Sequence, residues 1–556
     1  MDFQEDDSEI LCASQKTFGL AIGCIALFFL VVCFQPLCAQ NQKGEQGHYL
    51  VTNYNHEELP GHHQNWFITQ DRNGFIYTGN GEGVLEFDGA SWRLISSPGL
   101  NAVRTVVVDQ DNIKWVGGDR ELGYLKADAM GLLQFESLKD RIPESNPLTA
   151  NIWQIFPDKD RILFVTDNTI YSWRDKKFTV IAHPGPGPIH REYQVHGKIY
   201  VSIAGEGMYE VIEDTLQLIP GGELFKSIRP TVALPYGLKS VLFASKSAGI
   251  FIYDGSAVTR LENEIEGYLE ENLLYAGQRL SNSAYAFATL QGGVILMDEN
   301  GKYIRTITEN DGIGNNQVHG MTVDKQHSLW LALQTGISKV DPLAPYTFFD
   351  KRNGLEGTVS NIVRHAGRLY VATYSGLFVL ENAAGIVPAK FRKIEEIKSG
   401  CFSLLQTGEH LFAATANGVF KISEKEVYQI NNLLGCRTLC RSKRNANRIY
   451  VGHMHGLSSI KYVDGKWEAE KDIPRIKEDV FSIATQDDGT LWLRTSLQPV
   501  IKVEFPKVRD LDQDLDFDTL IINRFSKGLP EGPINMWLIE DELFVTTQGS
   551  GGPLFT

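Results

Sequence analysis

The stretch Asp71 to Trp92, DRNGFIYTGNGEGVLEFDGASW, decides the fold. Asp71-Arg72-Asn73-Gly74 reads as a turn, because Asp and Asn side chains bond nearby backbone and glycine tolerates positive φ. Phe75-Ile76-Tyr77-Thr78 has the aromatic and β-branched composition of a buried strand. Gly79 to Gly83 turns the chain back, Val84-Leu85-Glu86-Phe87 is the return strand, and Asp88-Gly89 makes another hairpin before Trp92. A unit this small cannot bury both of its faces, so copies of it should follow.

Twelve copies are recognisable. Each has an aromatic-bearing strand, a small or hydroxyl residue, a glycine turn and a second apolar strand. Examples are KWVGGDRELGYL at Trp115, LFVTDNTIYSW at Phe164, LFASKSAGIFIY at Phe243, YAFATLQGGVILM at Phe287, LWLALQTGISKV at Trp330 and IYVGHMHGLSSI at Tyr450. A period of about 40 residues with four short strands per unit is the signature of a β-propeller blade. An apolar run upstream of each turn, such as Asn65 to Ile68, Val103 to Val108 or Val318 to Val323, reads as the innermost strand. The hairpins Asp88-Gly89, Asp254-Gly255 and Asp464-Gly465 lead into the outermost one.

Asp341-Pro342-Leu343-Ala344-Pro345 interrupts the pattern after the seventh copy, and prolines so close together do not fit a central strand. The expected fold class is therefore all-β, with tandem β-propellers. A seven-bladed ring is expected at 48–345 and an incomplete second propeller of about five blades at 346–556. Tyr49 to Tyr54 is expected to supply the outer strand of the seventh blade, which would remove two exposed edges. The sequence stops inside its last copy, at Gly551-Gly552-Pro553, which reads as a C-terminal truncation with an open strand edge.

Phe18 to Phe34 is a run of seventeen uncharged residues, and the small residue Ala39 before Gln40 resembles a processing site. Residues 1–40 are read as a signal peptide or N-terminal anchor. The acidic Asp2, Glu5, Asp6, Asp7 and Glu9 depart from the basic start of a signal peptide. Either form places the remaining chain in the periplasm or on the extracytoplasmic face of the inner membrane. Four of the seven cysteines lie in the leader, so Cys401, Cys436 and Cys440 alone do not make a disulfide scaffold. A net charge of −15 without a long Lys/Arg run argues against a nucleic-acid partner.

With the repeats laid out, the chain resembles the two-component-regulator propeller family, the extracytoplasmic sensor regions of bacterial membrane receptors. The matching unit is DxxGxφ(W/Y)φ(G/A)TxxGφ, as at Asp71 to Val84, Ser328 to Ile337 and Asp488 to Thr495. The break at Asp341-Pro342 followed by Asn353-Gly354-Leu355 also matches, and Asn65-Trp66 to Trp92 looks most like the subgroup that carries a triple-tyrosine domain. The resemblance covers about residues 48–556, although Asp167-Asn168-Thr169 and Ser496 to Pro499 lack the glycine. It implies a ligand-sensing region whose membrane helix and kinase or helix-turn-helix output would lie outside these residues. It also implies a homodimer, with membrane attachment through a further C-terminal segment or an uncleaved leader, and no enzyme activity in this region.

Motifs for chemistry are sparse. His453-Met454-His455 has metal-ligand spacing without an evident third ligand, and adjacent His62-His63 would face opposite ways in a strand. The acidic run Asp510 to Asp518 lacks the glycine and terminal Glu of a calcium loop. No cofactor motif is recognised. Propellers bind ligands where innermost strands converge, so the candidate ligand-binding residues are those near strand starts: Asn65, Trp66, Arg104, Asn151, Trp153, His319, Arg364 and Trp537. Their aromatic faces and amide or guanidinium donors suit an extracellular glycan or a peptide. The same residue types also pack blades together. A propeller enzyme of the quinoprotein dehydrogenase or polysaccharide lyase type, or a protein-binding scaffold, are the alternatives, and fold alone does not decide among them.

Overall fold

A computed structural model describes residues 45–547, apart from 56, 183–184, 282, 384–387, 424–425, 497–499, 507–518 and 527–533. The expected leader, the acidic run and the C-terminal glycines lie outside the described residues. The chain is all-β in tandem propeller units. One compact unit is Gly47–Leu355, and the other takes in Glu356–Thr556.

The first unit holds seven four-stranded antiparallel sheets. The first of them runs Asn65–Gln70, Ile76–Asn80, Gly83–Phe87 and Trp92–Ile95 in chain order from inside to outside. The seventh is built differently. Val318–Val323, Leu329–Leu333 and Ile337–Val340 are joined at the edge by Val51–Tyr54, with Val51 opposite Val340 and Tyr54 opposite Ile337. The N-terminal strand thus covers the edge of the last sheet, as its sequence position led us to expect.

The core lies between sheets. Tyr77 and Val84 of the first sheet pack on Val103, Val106 and Val116 of the second. Similar clusters join each sheet to the next. A last one packs Trp330, Ala332 and Ile337 of the seventh sheet on Ile68, Ile76 and Leu85 of the first, which closes the cycle. Each central strand is therefore buried on both faces, as in Ile76–Asn80, where all residues are buried.

Local bonding explains the repeated aspartate. Asp109 Oδ1 accepts the backbone N–H groups of Asp111 and Ile113, while its Oδ2 accepts Trp115 Nε1 at 2.8 Å. Asp324 does the same for Trp330, also at 2.8 Å. The side chain ties the turn to the aromatic residue of the following strand. In the unit that begins at Asp71 the aromatic is Tyr77, and the free Asp71 Oδ2 pairs instead with Lys114 Nζ of the next sheet at 2.9 Å. Burial pushes the Asp71 carboxyl up, but Lys114 and the turn N–H groups more than offset this and hold it below its ordinary value.

Two details differ from the reading by motif. In the third, fifth and sixth sheets the aromatic residues Phe164, Phe243 and Phe287 sit one position after the place held by Tyr77 and Trp330, which Leu163, Leu242 and Ala286 occupy. A strand buried on both faces accepts the aromatic at either position. In addition, the segment after the two prolines stays with the first unit. His48 and Phe348 exchange backbone hydrogen bonds of 2.7 and 2.8 Å, and Arg352 Nη1 donates to Asp311 O at 2.6 Å.

Among its described residues the second unit contains four four-stranded sheets and a two-stranded one, Ile534–Ile539 with Glu542–Thr547. Apolar clusters join consecutive sheets. Among the described residues none joins the last sheet to the first. Cys401 and Cys436 are buried, Cys440 is partly so, and all are free thiols, which burial pushes up to about 12, 12 and 11.

Candidate functional site

The inner strands of the first unit share a local irregularity. In five of them the pairing slips at the second residue, which is Trp66, His190, Thr231, Tyr275 or His319. The other two reach the same arrangement just before the strand. Arg104 N donates to Gly117 O and Trp153 N to Val165 O, both at 2.9 Å, although Thr105 and Gln154 already pair with Gly117 and Val165. Such a bulge breaks the alternation of the strand and re-aims one side chain. Each blade therefore presents one residue at an equivalent place.

Six of the seven, Trp66, Arg104, Trp153, Thr231, Tyr275 and His319, line a cavity of about 270 Å³ together with Arg191 and Glu192. Six inner strands contribute to its wall, and Arg104 does so from just before the remaining one. The Arg104 guanidinium lies 4.0 Å from the centre of the Trp66 ring and 5.6 Å from that of Trp153. His319 stacks on the same Trp66 at 4.8 Å, and Arg191 lies over Tyr275 at 5.1 Å. Arg–aromatic stacking holds a cation in place without neutralising it.

The polar groups are unevenly satisfied. His319 Nδ1 donates to Asn65 O at 3.2 Å, and Gln317 Nε2 donates to His319 Nε2 at 3.2 Å, which fixes a neutral imidazole. Burial lowers the pKa of His319, and Arg104 adds to the effect. Arg104 Nε and Nη1, Trp153 Nε1 and Asn151 Oδ1 are all buried without a hydrogen-bond partner among the described residues. Burial lowers the Arg104 pKa as well. Glu192 is 7% exposed, and burial pushes its carboxyl up to about 7 against the pull of Arg191.

Of the residues singled out in the sequence, the structure brings Trp66, Arg104, Trp153 and His319 together in this cavity. Asn65 is fully buried and committed to the scaffold. Its Nδ2 donates to Gly336 O at 2.9 Å, and its Oδ1 accepts Asn80 Nδ2 at 2.9 Å. Asn151 precedes the third inner strand and keeps its unpartnered oxygen. The placement of two residues at strand starts needs correction. Arg364 is the sixth residue of Val359–His365 and pairs with Glu45 at 2.7 Å, whereas Trp537 lies mid-strand in Ile534–Ile539 and is 54% exposed. Sequence reading missed Tyr275, Arg191 and Glu192. The signal that finds Tyr275 is its position at the bulge, a register that composition does not reveal.

A larger hollow of about 510 Å³ lies among the turns at the other ends of the second, third and fourth inner strands, near Asp109, Lys159 and Trp173. Its arginines are already paired: Arg174 with Asp160 at 3.0 Å, and Arg161 with Asp158 and Asp214 at 2.9 and 2.7 Å. His453 is buried with Nε2 3.4 Å from Asp472. Among the described residues no group of three or more His, Cys, Asp or Glu side chains could hold a metal ion. No helix among them is long and apolar enough to cross a membrane.

The sequence matches no family model and no curated protein. Its fold has solved relatives. A protein described as the extracellular domain of the hybrid two-component system BT3049 from B. thetaiotaomicron superposes with a TM-score of 0.62 at 16% identity, over 89% of this chain and 76% of that one. The extracellular domain of BT4673, described as a one-component system of the same organism, gives 0.42 at 15% identity over 91% and 71%. Virginiamycin B lyase from Staphylococcus aureus gives 0.42 at 13% identity over 53% of this chain and 100% of its own. The first of these shows that the chain shares the fold of that domain. The other two superpose too loosely to bear on shape or function.

Proposed function

We propose that this chain is the ligand-sensing region of an extracytoplasmic bacterial receptor of the two-component or transcription-regulating kind. Its ligand enters the axial cavity of the first propeller. The observation that carries this reading is the cavity wall itself. Seven strands each deliver a bulge residue, and most of those aimed at the cavity are rings or cations rather than the small residues a packed channel would use. Buried donors left open there cost stability unless a ligand completes them. Aromatic faces beside such donors suit a small ring-shaped ligand, a single sugar unit among them. The likeness to an extracellular domain of a two-component system supports the receptor setting.

The test is a thermal-shift screen of mono- and oligosaccharides and of small organic acids. A ligand of the native state raises its melting temperature by mass action. The reading requires at least one compound that stabilises the wild type and fails to stabilise Trp153→Ala. A screen with no shift, accompanied by turnover of a glycan, would contradict it.

A further inference from the structure

The second unit repeats the geometry around Arg104. Phe402 and Phe481 occupy bulge positions of their inner strands. Arg437, between them in blade order, donates from its backbone N to Gly452 O at 2.8 Å while Thr438 pairs with Gly452, as Arg104 does with Gly117. Its guanidinium lies 5.2 Å from the Phe402 ring and 5.0 Å from the Phe481 ring. The next strand also matches. A Cβ on Gly117 would meet the Ile152 side chain, and one on Gly452 would meet Val480. Ile152 thus corresponds to Val480, Trp153 to Phe481, and Asn151 to Asp479.

That last correspondence is where the two units part. Arg437 Nη2 lies 3.5 Å from Asp479 Oδ2, so the second unit supplies a carboxylate charge to its sandwiched arginine, although Arg437 Nε and Asp479 Oδ1 stay without hydrogen-bond partners among the described residues. The first unit has a neutral amide at the same place. Arg104 Nε and Nη1 are left buried and open, and Asn151 Oδ1 is open too. A guanidinium between two aromatic rings, with no ion pair within 4 Å among the described residues and only the longer-range pull of Asp119, stands beside a cavity large enough for a small molecule.

We infer that the ligand of the axial cavity is a small ring compound bearing a carboxylate, which supplies to Arg104 the negative charge that Asp479 supplies to Arg437. The inference rests on the cavity being the ligand site. Planar, paired acceptors match the fork of a guanidinium, which a neutral hydroxyl cannot do. Arg191 adds a second cation to the same wall. Glu192 is the one acid there, set beside Arg191.

Calorimetric titration of the full chain tests this with two matched pairs of probes. D-glucuronate against D-glucose represents sugar acids, and benzoate against benzyl alcohol represents aromatic acids. At least one carboxylate is expected to bind about tenfold or more tightly than its neutral partner, the scale of a charge-assisted pair. Asn151→Asp, which builds the counter-ion into the protein, is expected to abolish that preference without lowering the melting temperature. Arg104→Gln should abolish it as well. Equal binding of acid and neutral probes, or undiminished carboxylate binding by Asn151→Asp, overturns the inference. If neutral probes bind and Trp153→Ala removes that binding, the cavity remains the ligand site and only the carboxylate falls. If no probe binds the wild type, both fall.

Discussion

At equivalent bulges on three successive blades, the first unit places Trp66, Arg104 and Trp153, and the second places Phe402, Arg437 and Phe481. The packing is the same and the electrostatics differ. One unit closes the arrangement with Asp479, and the other leaves Arg104 facing a cavity beside Asn151. The scaffold thus shows the same constellation supplied with a counter-charge, although Arg437 Nε and Asp479 Oδ1 keep no hydrogen-bond partner among the described residues. On our proposal, the difference separates a structural use of the arginine from one that awaits a ligand. A second contrast lies in the cores. In the first unit the clusters between sheets form a closed cycle, while in the second the described clusters join sheets in a line.

The largest expected effect probes that second contrast. Trp330 is 3% exposed, stacks on Tyr54 and closes the cycle of cores. Trp330→Ala should cost the first unit about 3–5 kcal/mol, the usual loss for a large buried aromatic. Trp492, at the matching place in the second unit, is only half-buried, and Trp492→Ala should cost the second unit clearly less. Denaturant unfolding followed by hydrogen exchange, which resolves the two units, measures both. Equal losses would remove the distinction between closed and open cores.

Next in size is a pH effect confined to the first unit. Burial pushes the Glu192 carboxyl up to about 7 in the folded protein, against an ordinary value of 4.5 in an unfolded chain. A raised carboxyl favours the protonated fold. Its stabilisation is complete below the unfolded value and is lost as pH rises toward about 7. At about 1.4 kcal/mol per unit this amounts to roughly 3 kcal/mol between pH 4.5 and 7. The groups that act on it are Arg191 on its own strand and Asp167 of the neighbouring blade. Glu192→Gln should flatten the stability of the first unit over this range. An unchanged slope would mean that another group carries it.

The smallest effects address the Asp479/Asn151 exchange directly. Asp479→Asn leaves Arg437 without its carboxylate and should destabilise the second unit by about 1 kcal/mol, since the pair is partly solvent-screened. The reverse change, Asn151→Asp, should leave the first unit unchanged or more stable by up to about 1 kcal/mol in the absence of ligand. Thermal melts of both variants measure the pair. A marked destabilisation by Asn151→Asp would mean that the two sites are not equivalent.

Much of the architecture was legible in the sequence because a blade is a local object. Turn residues such as Asp71 and Gly74, the aromatic strands and the period near forty all act within one repeat. Even the edge strand from Val51–Tyr54 could be anticipated, because a ring with an open edge is unsatisfied. The site was legible in part. Trp66, Arg104, Trp153 and His319 stand near inner-strand starts and carry side chains too large and polar for that place. Arg364 and Trp537 have the same chemistry, but their strands begin several residues earlier, so neither reaches a bulge. Tyr275, Arg191 and Glu192 were hidden because a one-residue slip in pairing decides which side chain leaves the alternation. The meaning of Asn151 needed a second example of the same geometry, at Asp479, before its missing charge could be seen.

The central claim is that Arg104 is held open for an anionic group. A crystal structure of the full chain soaked with D-glucuronate or benzoate tests it most directly. The account predicts a carboxylate within hydrogen-bond distance, about 3 Å, of Arg104 nitrogens, with the ligand ring against the aromatic wall of the cavity. A ligand bound with its carboxylate turned away from Arg104, or seated outside this cavity, would contradict it.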